Sequence, residues 1–145
     1  IEPRLRKHSI SLDPSGLDEP LMVQGDQSLL QEAITAMLHN ALDASRDGGR
    51  IMISARLSGP WPIWPKTRQA QSWSLTIQDE GRGIAAADLE RVFQPFFTTK
   101  GADGTGLGLS AALRILHQHG GSIDAHSEGP GKGARFTMII PRRAP

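Results

Sequence analysis

The 145-residue chain contains no cysteine, which excludes disulfides, thiolate metal sites and cysteine nucleophiles together. It also lacks an excess of either charge. Sixteen Lys and Arg against fifteen Asp and Glu leave a net +1, which provides no broad electrostatic footprint for nucleic acid or an anionic membrane. No apolar run approaches the roughly 20 residues that cross a bilayer, and the opening Ile1-Glu2-Pro3-Arg4-Leu5-Arg6-Lys7 does not read as a signal peptide. What is present is a composition 38% hydrophobic and 21% charged, suited to a packed core rather than wholesale disorder. A chain of this length buries roughly 70% of the surface it exposes when unfolded. Glycine is the one abundant oddity, at 16 residues, much of it in short clusters.

Hydropathy patterning orders the chain. Residues 8–13 alternate polar and apolar, as a half-buried strand does, and Pro14-Ser15-Gly16 is expected to stop it. After Asp26, a candidate N-cap, apolar residues fall at 29, 30, 33, 34, 37, 38, 41 and 42. These steps predict one amphipathic helix ending near Gly48-Gly49. Strand-like runs follow over 51–57 and 73–78. Between them, Gly59-Pro60-Trp61-Pro62-Ile63-Trp64-Pro65 carries three prolines, which predict a long hairpin loop or a short extended excursion rather than a central strand. Its tryptophans either fold back on the sheet or offer a docking site. A short helix over 86–92, a glycine-bearing loop over 93–105 and a helix over 106–119 closed by Gly120-Gly121 come next. Strands over 122–126 and 134–140, joined by Gly129-Pro130-Gly131-Lys132-Gly133, end the pattern. Irregular alternation with adjacent strand pairs predicts a single α/β unit, a mixed sheet with helices on one face.

Three constellations carry chemistry, each weak alone. Asp79-Glu80-Gly81-Arg82-Gly83-Ile84 follows a strand directly. A carboxylate there can accept from an exocyclic amine while the glycines let a flat ring approach the backbone; read alone, an ordinary Asp-plus-Gly turn is the favoured reading. Gly104-Thr105-Gly106-Leu107-Gly108-Leu109-Ser110 opens a helix, where consecutive N–H groups and the helix dipole suit phosphate oxygens; a lid hinge is the other reading. It is no Walker A loop, because no Gly-Lys-Ser/Thr follows. On the first long helix, Glu32, Ala36 and Asn40 form one i, i+4 row with His39 and Asp43 alongside. An asparagine amide oxygen can ligate magnesium, or simply bond to backbone.

Taken together and in order, these residues resemble the ATP-binding domain of sensor histidine kinases, of the superfamily shared with DNA gyrase, an ATP-dependent heat-shock chaperone and the MutL mismatch-repair proteins. Leu38-His39-Asn40-Ala41-Leu42-Asp43-Ala44 looks like its N box, and Asp79 to Gly83 like its first glycine box. Phe93-Gln94-Pro95-Phe96-Phe97-Thr98-Thr99-Lys100 resembles the phenylalanine box, and Gly104 to Leu109 the second glycine box. The resemblance implies a Bergerat-type two-layer sandwich. It implies that Asp79 holds the adenine amino group, with Gly81, Gly83 and Ile84 around the base, and that Asn40 ligates Mg2+ bridging the phosphates. It further implies a mobile lid over 93–105 anchored by Phe96 and Phe97, with Thr99 beside the nucleotide. Lys100 would meet the terminal phosphate, and Gly104, Thr105, Gly106, Leu107, Gly108 and Leu109 would cradle the phosphate chain.

The chain departs from the family pattern in places. Ala36 stands where ATP-hydrolysing relatives have a glutamate base, Asp43 where some kinases have lysine, and Ala134 where relatives often have threonine near the adenine. None of the five histidines looks like a phosphoacceptor: His8 falls in a strand pattern, His117 and His119 suit helix-end caps, His126 lies in a strand and His39 is a helix neighbour. The expectation is therefore an ATP–Mg-binding catalytic lobe over 1–145, monomeric alone, that donates its γ-phosphoryl group to a histidine on a separate dimerisation domain. A response-regulator receiver and a homodimeric, cytoplasmic or membrane-anchored parent complete that expectation, with no nucleic acid and no direct membrane contact by this domain. The competing readings are an ATP-hydrolysing machine, a non-enzymatic nucleotide-binding regulatory module and a serine kinase of the anti-sigma type.

Overall fold

A computed structural model describes residues 1–63, 68–99 and 104–142. In chain order the elements are α1 (Glu2–Lys7), β1 (Ser11–Gly16), α2 (Gln27–Ala44), β2 (Arg50–Ile63), β3 (Arg68–Asp79), α3 (Gly108–Gln118), β4 (Ser122–His126) and β5 (Ala134–Pro141), with a 3-10 turn at Ala86–Asp88. The strands form one sheet in the order β1-β2-β3-β5-β4. β1 runs parallel to β2, and every other pairing is antiparallel. This is the expected mixed sheet. Its helical face buries Ile51, Leu75, Ile77, Phe136 and Met138 against Leu30, Ala33, Met37 and Ala41 of α2 and Ala112, Ile115 and Leu116 of α3. The alternate positions, among them Ser54, Thr76, Gln78, Arg135 and Thr137, make a polar opposite face, as period-2 alternation requires of a two-layer fold.

α2 begins where its cap dictates: Asp26 Oδ1 accepts the Leu29 N–H at 3.0 Å. It ends at Ala44, four residues short of the glycine pair expected to stop it. The cause is tertiary. Ser45 Oγ donates to the Ala41 carbonyl at 2.7 Å, and the Ala44 carbonyl accepts the Arg82 N–H at 3.0 Å, so the last turn is capped from the far end of β3. α3 ends as expected, with His119 at its C-cap and Gly120 following at φ +75°. Arg and backbone N–H groups only donate, and carbonyls only accept, so the bonds of His119 define its proton: Nδ1 donates to the Ile115 carbonyl at 2.7 Å, and Nε2 accepts the Asp26 N–H at 3.1 Å. One imidazole thus ties the end of α3 to the start of α2. Gly25 is required there, since a Cβ would lie 2.5 Å from His119 Cδ2.

Several boundaries differ from the sequence pattern. Pro14-Ser15-Gly16 continues β1 through an irregular register instead of ending it. A Cβ on Gly16 would fall 2.4 Å from Ser54 Cβ, so glycine lets the edge strand close on β2. His8 belongs to no strand; it caps α1 and its Nδ1 pairs with Asp47. The proline-rich segment is an extended arm, pairing with β3 out to Ile63↔Arg68 past a register shift between Ser58 and Pro60. β1 leaves β2 after Ser54, so Pro60 and Pro62 occupy an edge, where no second ladder needs their missing N–H. Trp64 to Thr67 lie outside the described residues. Residues 86–92 hold only a 3-10 turn and further turns, not a helix of full length.

Candidate functional site

Between α2, the end of β3, the 3-10 turn and the start of α3 lies a cleft of about 430 Å³. Ala36, His39, Asn40, Asp43 and Ala44 of α2 form one wall; Asp79, Arg82, Gly83, Ile84, Ala85 and Asp88 form the end beside β3. Val92, Phe97, Thr98, Thr99, Thr105, Gly106, Gly108 and Leu109 close the other side, over a floor of Ala134 and Phe136.

Asp79 is the unusual group. It is 2% exposed; its Oδ1 accepts the Gly81 N–H at 2.9 Å, while its buried Oδ2 has no hydrogen-bond partner among the described residues. Burial pushes its carboxyl above the usual carboxylate range, against the opposing pull of the Gly81 and Ala134 amides and the Arg82 charge. An orphaned buried acceptor costs about 1–3 kcal/mol, and a donor arriving from the cleft would recover that cost.

The segment after Asp79 is wedged between two backbones. A Cβ on Gly81 would sit 1.9 Å from the Ala44 carbonyl oxygen, and one on Gly83, at φ +70°, 2.1 Å from that of Gly129. The turn following β4 locks it in place: the Gly131 N–H donates to the Arg82 carbonyl at 2.6 Å and the Gly133 N–H to that of Gly81 at 3.1 Å. Glycine here serves the fold first. Gly81 is buried against α2 and is not part of the cleft wall.

The opposite side is looser. The Phe96 N–H donates to the Gly106 carbonyl at 2.8 Å, and Gly106, at φ +66°, has no room for a Cβ beside Phe96. At Gly108, the first residue of α3, a Cβ would meet only Ala36 Cβ at 3.9 Å. α3 has no side-chain cap, which leaves the amides of its first turn available to an anion.

The cleft brings together Asn40, Asp79, Gly83, Ile84, Phe97, Thr99, Thr105, Gly106, Gly108 and Leu109 of the expected site. Gly104 and Leu107 are not on its wall, and Leu107 is 43% exposed. Glu32 is exposed and absent from the wall as well. Lys100 lies outside the described residues. Phe96 does not make the expected apolar anchor: it is 75% exposed at φ +67°, as the turn that meets Gly106 requires. Phe97 faces the cleft with the Arg91 guanidinium 4.6 Å from its ring centroid, and Phe93 packs edge-on against Phe136 at 6.1 Å. Arg82, Ala85, Asp88, Val92 and Phe136 were not singled out from sequence. Arg82 falls inside the Asp79–Ile84 segment, and Phe136 inside the closing strand that, through Pro141, also looks like the family's.

Residues 25–144 match the family of histidine kinase-, DNA gyrase B-, and HSP90-like ATPases. The chain belongs to that family. It is 38% identical over 119 residues to the sensor histidine kinase ZraS of Klebsiella oxytoca, covering 82% of this chain and 23% of the relative. It is 38% identical over 128 residues to the signal transduction histidine-protein kinase AtoS of Escherichia coli strain K12, covering 88% and 19%. The chain thus spans about a quarter or less of the curated relatives it matches. Among solved structures, the catalytic domain of histidine kinase ThkA superposes with a TM-score of 0.76 at 28% identity, covering 98% of this chain and 86% of that one. The fold is therefore that of a histidine kinase catalytic domain, and nucleotide use comes with the family.

Proposed function

We propose that the chain binds ATP with Mg2+ in this cleft and donates the γ-phosphoryl group to a histidine on a partner dimerisation domain, as the catalytic lobe of a longer two-component sensor kinase. The orphaned Oδ2 of Asp79 carries this reading, because a purine 6-amino group is the donor that such an acceptor lacks. Gly83 and Ile84 flank the base, and the open amides from Gly108 onward hold the phosphates. Phosphoryl transfer asks mainly for positioning and charge neutralisation, and these backbone groups supply the first. When the histidine nitrogen attacks, the bond from the γ-phosphorus to the β,γ-bridging oxygen breaks and ADP leaves.

Among the described residues no cluster of three His, Asp or Glu could hold a metal by itself. The donor set on the wall fits a phosphate-borne ion instead, with Asn40 giving one protein oxygen and phosphates and waters the rest. Bound so, Mg2+ would spread the charge of the leaving phosphates. Ala36 provides no base to activate water, which favours transfer over hydrolysis and sets aside the ATP-hydrolysing machine. Intact glycine segments set aside a module without chemistry. The acceptor domain, a response-regulator receiver and a homodimeric parent follow from the same reading. One relative of this fold, at 25% identity, is ThkA in complex with the response regulator protein TrrA.

The test is ATP binding with and without Mg2+ in wild type, Asp79→Ala and Asn40→Ala. Asp79→Ala should lose about 10- to 100-fold in affinity under both conditions, whereas Asn40→Ala should lose chiefly the metal-dependent part. Equal affinity in all three proteins would overturn both assignments. Transfer of labelled phosphate to an added dimerisation domain tests the reaction itself, and tight ATP binding without transfer would favour the regulatory module.

A further inference from the structure

α1 reaches the cleft through one side chain. Arg4 Nη2 donates to Asp43 Oδ1, and its Nη1 donates to His39 Nδ1 at 3.0 Å. Both acceptors, one helical turn apart on α2, line the cleft wall with Asn40. Arginine only donates, so His39 accepts at Nδ1 and keeps its proton on Nε2. The guanidinium spans 35 and 39 residues of sequence to make these contacts. It arrives from a segment that precedes the family match, which starts at residue 25. Leu5 packs against the main core and its carbonyl accepts the Ile10 N–H at 2.9 Å, so α1 is held in place independently of the ion pair.

Asp43 places a carboxylate on the stretch of wall beside Asn40, where a phosphate chain would lie in the reading above. A bare carboxylate there repels a polyanion, and the energy of two such charges in a half-buried site is not negligible. We propose that Arg4 is a specificity-determining residue of the nucleotide site: it neutralises Asp43 and orients His39, which makes that wall tolerant of a phosphate chain. The positive charge that α2 itself does not supply at position 43 is thus imported from α1. The inference rests on the nucleotide reading of the cleft, and its test separates the two.

Binding of ATP–Mg, ADP–Mg and adenosine is measured by calorimetry at low ionic strength for wild type, Arg4→Ala, Arg4→Lys, Asp43→Asn and Arg4→Ala/Asp43→Asn. Arg4→Ala should weaken ATP–Mg about five- to tenfold, ADP–Mg less, and adenosine less than about twofold. Asp43→Asn in the Arg4→Ala background should restore ATP–Mg to within about twofold of wild type, and Arg4→Lys should retain most of the affinity. Added salt should shrink the Arg4→Ala effect. Unchanged ATP affinity in Arg4→Ala overturns the proposal, as does an equal loss for ATP and adenosine, which would indicate a merely structural contact. Failure of the double variant to recover overturns the neutralisation. If wild type binds no ATP, or Asp79→Ala binds as wild type does, the nucleotide reading itself fails and the role of Arg4 falls with it.

Discussion

At Gly81 and Gly83, beside Asp79, glycine is imposed by neighbouring protein; at Gly108, across the cleft, it is not. A Cβ on Gly81 or Gly83 would collide with a carbonyl oxygen at 1.9 or 2.1 Å, while one on Gly108 would make ordinary contact with Ala36 at 3.9 Å. The first wall is a three-way joint between the last turn of α2, the end of β3 and the turn before β5, closed by backbone hydrogen bonds. The second is the uncapped start of a helix fed by a loop. Glycines in two similar motifs therefore do different work. Gly81 and Gly83 make a rigid seat possible, Gly106 makes the close turn against Phe96 possible, and Gly108 leaves space beside free amides.

That contrast can be broken from either side. The largest effect should come from Gly81→Ala, which must move either the α2 terminus or the segment bearing Asp79. We expect destabilisation of about 3 kcal/mol or more, read from urea unfolding. A variant as stable as wild type would mean the joint is soft. Gly108→Ala should do the reverse: stability unchanged or raised by up to about 1 kcal/mol, from better helix propensity, with ATP affinity reduced about tenfold by crowding of the amides. Loss of folding rather than affinity would show that this end is packed too.

The smallest effect concerns pH. Burial raises the Asp79 pKa in the folded state, so the folded protein holds this proton more tightly than the unfolded chain. The associated stability is full below the unfolded value and is lost as pH rises through the folded one. Asp79→Asn removes the ionisation. The stability of wild type relative to this variant should therefore fall as pH rises from the ordinary carboxylate range through the raised value. A flat difference across that range would mean that Asp79 is not strained by burial.

Much of the fold was legible because its signals are local. The apolar steps from Leu29 to Leu42, the Asp26 cap and the strands over 122–126 and 134–140 follow from side-chain period and capping alone. The failures share one cause. Pro14 to Gly16 stays in β1 because Gly16 can close on Ser54, and α2 stops at Ala44 because Arg82 and Ser45 take its carbonyls. His8 and Phe96 depart from the sequence pattern because a helix cap and a turn at positive φ leave no periodic trace. In the site, the order of the motifs brought Asn40, Asp79, Gly83 and Gly108 into view, and the cleft unites them. Gly81 and Leu107 belong to the same two glycine motifs, and nothing local marks which neighbour turns away.

By itself the sequence determined the layer architecture, the identity of the polar groups available to a ligand and the absence of thiol chemistry, since these depend on composition and period. Only the tertiary structure decided that the second oxygen of Asp79 is left without a partner among the described residues and that a cation from α1 meets Asp43. Both depend on which distant backbones and side chains come within hydrogen-bond reach, and such distances are set by packing of the whole sheet and its helices rather than by neighbours along the chain.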